Sequence, residues 1–328
     1  MVSTKRAITF GLAFGVEGPK LSLTRDNWKE IITQVEAMGY SGIFIPDHFI
    51  PQWDPIAAMA AIAAITEHVD IGSMVFCNDF RHPIIHAKAS ATINLISKNR
   101  HIFGIGAGWM ESDYVTAGIP LDKASTRIER MVEAIKIIRG MWTQESTSFE
   151  GKHYHVKNLP KAVGELEFAK PRLMIGGGGP TMLKLAGRYA DIANIAFTLG
   201  GDPETRFYRA VLDGSYERLG EKVDTIRKSA ESYGRDPGEL VYSQWIGTRR
   251  MFGDLVQDKK DLAKRFGTSV EEISDCTWMM VGEPGDVVED IKKRYEEYGI
   301  SHYIVDAGDS SSLADLRNLF EKVIKPLS

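Results

Sequence analysis

The sequence of 328 residues is short of several things, and each shortage closes off a class of function. It holds two cysteines, Cys77 and Cys276. That is too few for a disulfide framework and suits a reducing, cytoplasmic setting. Charge of one sign is also lacking: 40 basic against 44 acidic residues leave a net −4. No global field therefore draws the chain to nucleic acid or to a membrane, and an anionic ligand has to be held by local donors. The longest apolar run, around Ile56 to Ile65, follows a helix cap and is too short to span a bilayer. Lys5 and Arg6 have no long apolar stretch behind them, so no signal peptide is expected. The serine-nucleophile pattern G-x-S-x-G is missing. His82 and His86 stand four apart but lack the Glu of H-E-x-x-H and a third ligand, so no metal is expected.

What the sequence does have is alternation. Strands are expected over 8–14, 42–45, 69–77, 101–106, 172–175, 191–196, 240–248 and 301–305. Amphipathic helices fall between them. One covers about 26–38, with Trp28, Ile31, Ile32, Val35 and Met38 at helical spacing and Gly39 as its stop. Asp54 and Pro55 open the next as cap and first position. Pro83 opens a third. Ser125 is read as the cap of a helix whose inner face is Ile128, Met131, Val132, Ile135 and Ile138. Residues 149–154 form a small hairpin, Pro180 opens another helix, and helices over 215–233 and 313–323 complete the series. Strands alternating with helices imply a parallel sheet with right-handed crossovers. Eight short, evenly spread strands favour a closed TIM barrel over an open doubly wound sheet. Barrels of more than ~250 residues are common as one domain, and neither a repeat nor a low-complexity linker interrupts 1–328, so one domain is expected. Residues 253–275 are read as an insertion over the barrel mouth.

Functional residues of such barrels come from the C-terminal ends of the strands and the loops after them. Four ends stand out. The first is Asp47-His48-Phe49. Adjacent residues in a strand point to opposite sides, and histidine is suited to proton transfer near neutral pH. The second is Phe76-Cys77-Asn78-Asp79. The third is Gly106-Ala107-Gly108-Trp109, where the glycines come too early for a dinucleotide fingerprint and keep the strand end slim, as a flat ring lying against it would require. Trp109 is either a wall for that ring or core. The fourth is Gly176, Gly177, Gly178 and Gly179, set between a strand and a helix opened by Pro180. Their N–H groups are placed to converge on a phosphate, with φ above zero available to them.

Taken in order, Pro46 to Phe49, Asp79 to Pro83, Phe103 to Trp109, Phe149 to Tyr154 and Ile175 to Gly179 resemble the luciferase-like monooxygenase superfamily, and most closely its branch using the deazaflavin coenzyme F420. The resemblance implies a TIM barrel with an insertion after strand seven, usually dimeric, that binds F420 or FMN. It makes His48 the proton-transfer residue and Asp47 a ring contact. It also puts a non-proline cis peptide near Met74 and Val75. Met74, Val75, Phe76, Asn78, Ala107, Gly108 and Trp109 become coenzyme contacts, and the four glycines hold its phosphate. The deazaflavin-dependent sugar-phosphate dehydrogenases carry a Glu directly after the strand-four glycines. Trp109 stands there in this chain, with Glu111 further on as a second catalytic candidate, which argues against sugar-phosphate activity. The reading is hydride transfer between F420 and a small organic substrate. Its alternatives are an FMN-dependent monooxygenase using O₂, and a non-catalytic flavin-binding protein.

Overall fold

Short apolar runs become strands because only a buried parallel sheet satisfies both their backbone and their side chains. A computed structural model describes residues 6–15, 21–164, 169–198, 205–309 and 312–327. The first half runs β1 (Thr9–Ala13), α1 (Trp28–Met38), β2 (Gly42–Ile45), α2 (Pro55–Ile65), β3 (Asp70–Ser73), β4 (Phe76–Cys77), α3 (Pro83–Ile96), β5 (His101–Gly106), α4 (Glu111–Ala117) and α5 (Ala124–Thr143). The hairpin β6 (Ser146–Glu150) and β7 (His155–Pro160) follows. Then come β8 (Arg172–Gly177), α6 (Pro180–Tyr189), β9 (Ile192–Ile195), α7 (Arg206–Asp213), α8 (Tyr216–Ser232) and β10 (Val241–Ile246). The chain ends with β11 (Thr248–Arg250), α9 (Leu255–Phe266), α10 (Val270–Ser274), β12 (Met279–Val281), α11 (Pro284–Tyr298), β13 (Ile300–Asp306) and α12 (Leu313–Leu319).

The main sheet runs in the order β3-β2-β1-β13-β10-β9-β8-β5, and a β3–β5 pairing closes it into the expected TIM barrel. The insertion also falls where it was expected, after the seventh barrel strand. There β11 and β12 pair in parallel and bracket α9 and α10. Three expectations need correction. The strand over 69–77 is split into β3 and β4 by a cis Met74–Val75 bond, the non-proline cis peptide that the resemblance implied. Lys123, not Ser125, is the N-cap residue of α5. Helices α4 and α7 were not among the expected elements. For α4 the signal was present: two acids in the first turn and a left-handed glycine stop at Gly118. Among the described residues no helix is long and apolar enough to cross a membrane.

The chain packs as two compact units, Phe44–Leu173 and Met1–Ile43 with Met174–Ser328. In the larger, Phe10 stacks on Tyr303 at 5.1 Å where β1 pairs with β13. A separate cluster there joins Ala210 and Val211 of α7, Leu262, Ala263 and Phe266 of α9, Ile273 of α10 and Trp278. In the smaller unit, α5 buries Met131, Ile135 and Ile138 as its spacing required, and Trp142 Nε1 donates to Ala87 O at 3.0 Å.

Two histidines lie in the core of that smaller unit. His86 is packed between Phe76 and Phe103, and burial pushes its pKa down to about 3. His101 donates from Nδ1 to Ile71 O at 2.7 Å and is pushed down to about 4, again by burial. The native state keeps both neutral while the unfolded chain takes up protons below the ordinary value of 6.5. Stability is therefore full above that pH and falls as the medium is acidified toward the folded values. At pH 5 each histidine should cost about 2 kcal/mol. His86→Leu should flatten the acid limb of a plot of urea midpoint against pH. An unchanged slope between pH 7 and 5 would remove His86 from this account.

Candidate active site

In the unit Phe44–Leu173, the segment after β2 splits its two polar side chains as strand geometry requires. His48 Nδ1 lies 2.7 Å from Asp113 Oδ2, and Phe49 N–H donates to Asp113 Oδ1 at 3.0 Å. Asp113 sits in the first turn of α4, where the helix N-terminus favours a carboxylate. Its side chain is 3% exposed and that of His48 is 13% exposed. A carboxylate can only accept, so Nδ1 is the donor of this pair. Trp109 stands edge-on to the imidazole, ring centroids 5.9 Å apart, and is itself 47% exposed.

Asp47 turns the other way and is buried. Its Oδ2 accepts from Cys77 N–H at 3.0 Å and from Arg81 Nη1 at 2.7 Å. Burial raises its pKa while Arg81 and the Cys77 N–H pull it back. This carboxylate ties the end of β2 to the residues after the cis bond.

A second buried carboxylate, Asp79, is held by Arg130 at 2.9 Å and accepts from the Tyr114 hydroxyl at 3.2 Å. Arg130 also reaches Asp122. The Tyr114 hydroxyl lies 3.4 Å from Cys77 Sγ, and burial pushes that thiol up to about 12. Cys77 is thus a neutral packing group and no nucleophile. Gly108 has φ +78°, and a Cβ there would fall 2.0 Å from the Tyr114 hydroxyl and 2.8 Å from Cys77 Sγ. The glycine at this strand end is required by its own neighbours as well as by its backbone. Arg127 completes the wall, donating to Ala107 O at 3.1 Å, Gly108 O at 3.2 Å and Asp122 O at 2.7 Å.

The other unit carries the glycine run. Gly176 and Gly177 are the last residues of β8, Gly179 is the N-cap of α6, and Pro180 is its first helical residue. None of the four takes a positive φ. At two of them the value is closeness: a Cβ on Gly178 would lie 2.4 Å from Ala196 O, and one on Gly177 would lie 2.7 Å from Met182 Cβ. Lys222 fixes the segment Gly178 leans on, donating to Ala196 O at 3.0 Å and to Asp213 Oδ2 at 2.7 Å. Gly179 faces open space, and no side chain caps α6, so the first-turn N–H groups of Thr181 and Met182 receive no cap.

The structure therefore sets His48 against Trp109 and Asp113, with the Phe49 N–H on the same carboxylate, while Asp47 turns to Cys77 and Arg81. Asn78 is fully buried; its Nδ2 donates to the Tyr154 hydroxyl at 3.4 Å while its Oδ1 has no partner. Met74 and Val75 flank the cis bond and are half-buried, whereas Phe76 packs in the core against His86 and Phe103. Glu111 is exposed, and the carboxylate on His48 belongs to Asp113, two residues on. Sequence reasoning missed Asp113, Tyr114 and the arginines 81, 127 and 130. His82 caps α3 through its own ring, so the His82–His86 spacing reflects a cap and a core residue. Among the described residues no cluster of His, Cys, Asp and Glu is able to hold a metal.

Comparison with known proteins follows the same lines. An F420-dependent glucose-6-phosphate dehydrogenase of Intrasporangium calvum is 28% identical over 300 residues, covering 85% of this chain and 88% of that protein. One of the same name from Microbacterium testaceum is 30% identical over 70% of each chain. Among solved structures, an F420-dependent secondary alcohol dehydrogenase in complex with an F420–acetone adduct superposes with a TM-score of 0.78 at 18% identity, over 98% of this chain and all of that one. An EDTA monooxygenase from Chelativorans superposes with a TM-score of 0.76 at 15% identity, over 98% of this chain and 94% of that one. Residues 12–244 match the profile of the luciferase-like monooxygenases, and the chain belongs to that family.

Proposed function

We propose that this protein is an oxidoreductase that uses coenzyme F420 to move a hydride to or from a small organic substrate, with His48 moving the accompanying proton. The observation that carries the reading is the 2.7 Å contact between His48 Nδ1 and the buried Asp113 carboxylate. A third group orienting the ring of a base is the arrangement proton transfer needs. The relatives at 28–30% identity that bear F420 in their names support the choice of coenzyme.

The residues present fit such a group. Gly176, Gly177, Gly178 and Gly179, with the uncapped amides of Thr181 and Met182, would receive a phosphate at the start of α6. The orphaned Asn78 Oδ1 would accept an N–H, and Met74, Val75, Ala107 and Trp109 would supply the slim and apolar contacts of a flat ring. When bound, F420 supplies a ring carbon that gives or takes a hydride. The chain's own part is to hold the proton at His48 Nε2. Asp113 keeps Nδ1–H pointed away from the reaction and stabilises the imidazolium once Nε2 is protonated. Asp47 and Arg81 hold the backbone of the two strand ends. FMN with O₂ remains the competing reading, and the choice of ring decides it.

Three expectations follow from this assignment. In a fluorescence titration F420 should bind saturably, with FMN at least ~10-fold weaker, a difference of about 1.4 kcal/mol. The reverse order would move the protein to the monooxygenases. His48→Ala should lower turnover by ~10²-fold or more with F420 affinity within a few-fold, and full activity in that variant would end the assignment. Asp113→Asn can satisfy Nδ1–H or the Phe49 N–H but not both, so it should lower kcat by about 10-fold or more with KM little changed.

A further inference from the structure

The backbone pairing of β8 with β9 stops at Gly177 and Ile195, before the glycine run has ended. Past that point the two segments still touch. Ala196 N–H donates to Gly177 O at 3.2 Å, and a Cβ on Gly178 would fall 2.4 Å from Ala196 O and 2.7 Å from the Phe197 carbonyl carbon. The place of Gly178 is therefore set by how firmly residues 196–198 are held.

Two charged side chains hold them. Lys222 on α8 is 7% exposed, and its ammonium meets three oxygens: Ala196 O and Asp213 O at 3.0 Å, and Asp213 Oδ2 at 2.7 Å. An ammonium has three N–H groups and no lone pair, so these acceptors use it up. Asp213, the last residue of α7, receives Thr198 N–H at 2.6 Å on the same Oδ2. The ion pair thus grips the end of the sixth barrel strand at both Ala196 and Thr198. Burial works against the Lys222 charge, and Asp213 acts to restore it. The turn after α7 is pinned in its own right, since Gly214 O accepts from Thr277 N–H and from Thr277 Oγ1, each at 2.7 Å.

Backbone amides bind an anion through directed hydrogen bonds, and these weaken steeply once the donors leave their geometry. Such a seat is as good as the shell that fixes it from behind. We infer that Lys222, with Asp213, is a positioning residue for the phosphate of the coenzyme. It does not touch the ligand; it holds Ala196, and Ala196 holds Gly177 and Gly178 against the first turn of α6. The inference rests on the phosphate seat in the F420 reading and extends it to residues of α7 and α8. Its mark is a ligand-specific loss. A residue that only stabilises the fold weakens every form of the ring alike, whereas one that shapes the phosphate seat is felt only by ligands carrying a phosphate.

The test compares F420 with the same deazaflavin stripped of its phosphate tail, by ring fluorescence titration. The proteins are the wild type, Lys222→Met, the double variant Lys222→Met/Asp213→Asn, and Gly178→Ala, each first checked for a cooperative thermal melt. The wild type should bind F420 more tightly than the phosphate-free ring. Lys222→Met should weaken F420 ~10-fold or more, with the phosphate-free ring within about two-fold. That variant leaves Asp213 uncompensated, which the double variant relieves while still lacking the donor to Ala196 O. The double variant and Gly178→Ala should show the same split. Should Lys222→Met fail to fold, the double variant decides, and Gly178→Ala tests the contact through which the ion pair acts. Equal weakening of both ligands, or an unchanged F420 affinity, would overturn the positioning role with the coenzyme left standing. A wild type that binds the two ligands alike would overturn the phosphate seat and the role of Lys222 with it. Preference of the wild type for FMN over F420 would overturn the coenzyme, and the same comparison between FMN and riboflavin then decides the role of Lys222 on its own.

Discussion

A buried carboxylate has to be met by donors, and this requirement organises the unit that carries His48. Asp47, Asp79 and Asp113 are all almost fully enclosed, and each is matched. Asp47 takes a guanidinium and a backbone N–H, Asp79 a guanidinium and a phenol, Asp113 an imidazole and a backbone N–H. Because removing one member of such a pair leaves an uncompensated charge, the partners fix one another's positions. The turns after β2, β4 and β5 are held by side-chain ions where their own backbone pairing has run out. The imidazole is one more element of this lattice, and its orientation follows from the lattice.

The architecture was largely legible in the sequence, since the barrel strands follow apolar runs bounded by caps and glycine stops. Period and punctuation are local signals, and they place β2 and β5 to the residue. The strand over 69–77 was misread as continuous because a cis bond between Met74 and Val75 leaves no trace in hydrophobic pattern; only the family resemblance pointed to it. The site was half legible. Adjacent Asp47 and His48 at a strand end were visible as an alternating pair, but the acid facing His48 comes from α4, which was not among the expected elements. Glu111 was the natural candidate by nearness to the glycines. Helical geometry presents Asp113 inward and leaves Glu111 in solvent. Partners chosen by packing across a turn carry no sequence period, so Arg81, Arg127 and Arg130 could not have been read.

Glycine is used twice, and neither use is the one its sequence context suggests. At 176–179 the run looked like a loop needing left-handed residues, yet none of the four takes a positive φ, and at Gly177 and Gly178 it is the space a Cβ would occupy that excludes other residues. At Gly108 both reasons act at once, with the Tyr114 hydroxyl filling the place of the missing side chain. A strand end can be slim because a protein group presses on it, so glycine there points to crowding before it points to a ligand.

The small core shared by α7, α9, α10 and Trp278 has a bearing on how such enzymes diversify. Loops on a barrel are usually pictured as independent cassettes, each exchangeable without reference to the rest. Here the connection after the sixth barrel strand and the insertion after the seventh bury their apolar faces in each other, with Phe197 packed alongside. A change of volume at Phe266 or Val211 is felt across both segments, and its acceptability depends on what stands opposite. The two loops form one packing unit: grafting one alone onto another barrel would strip it of part of its core, while exchanging them together would carry the core along.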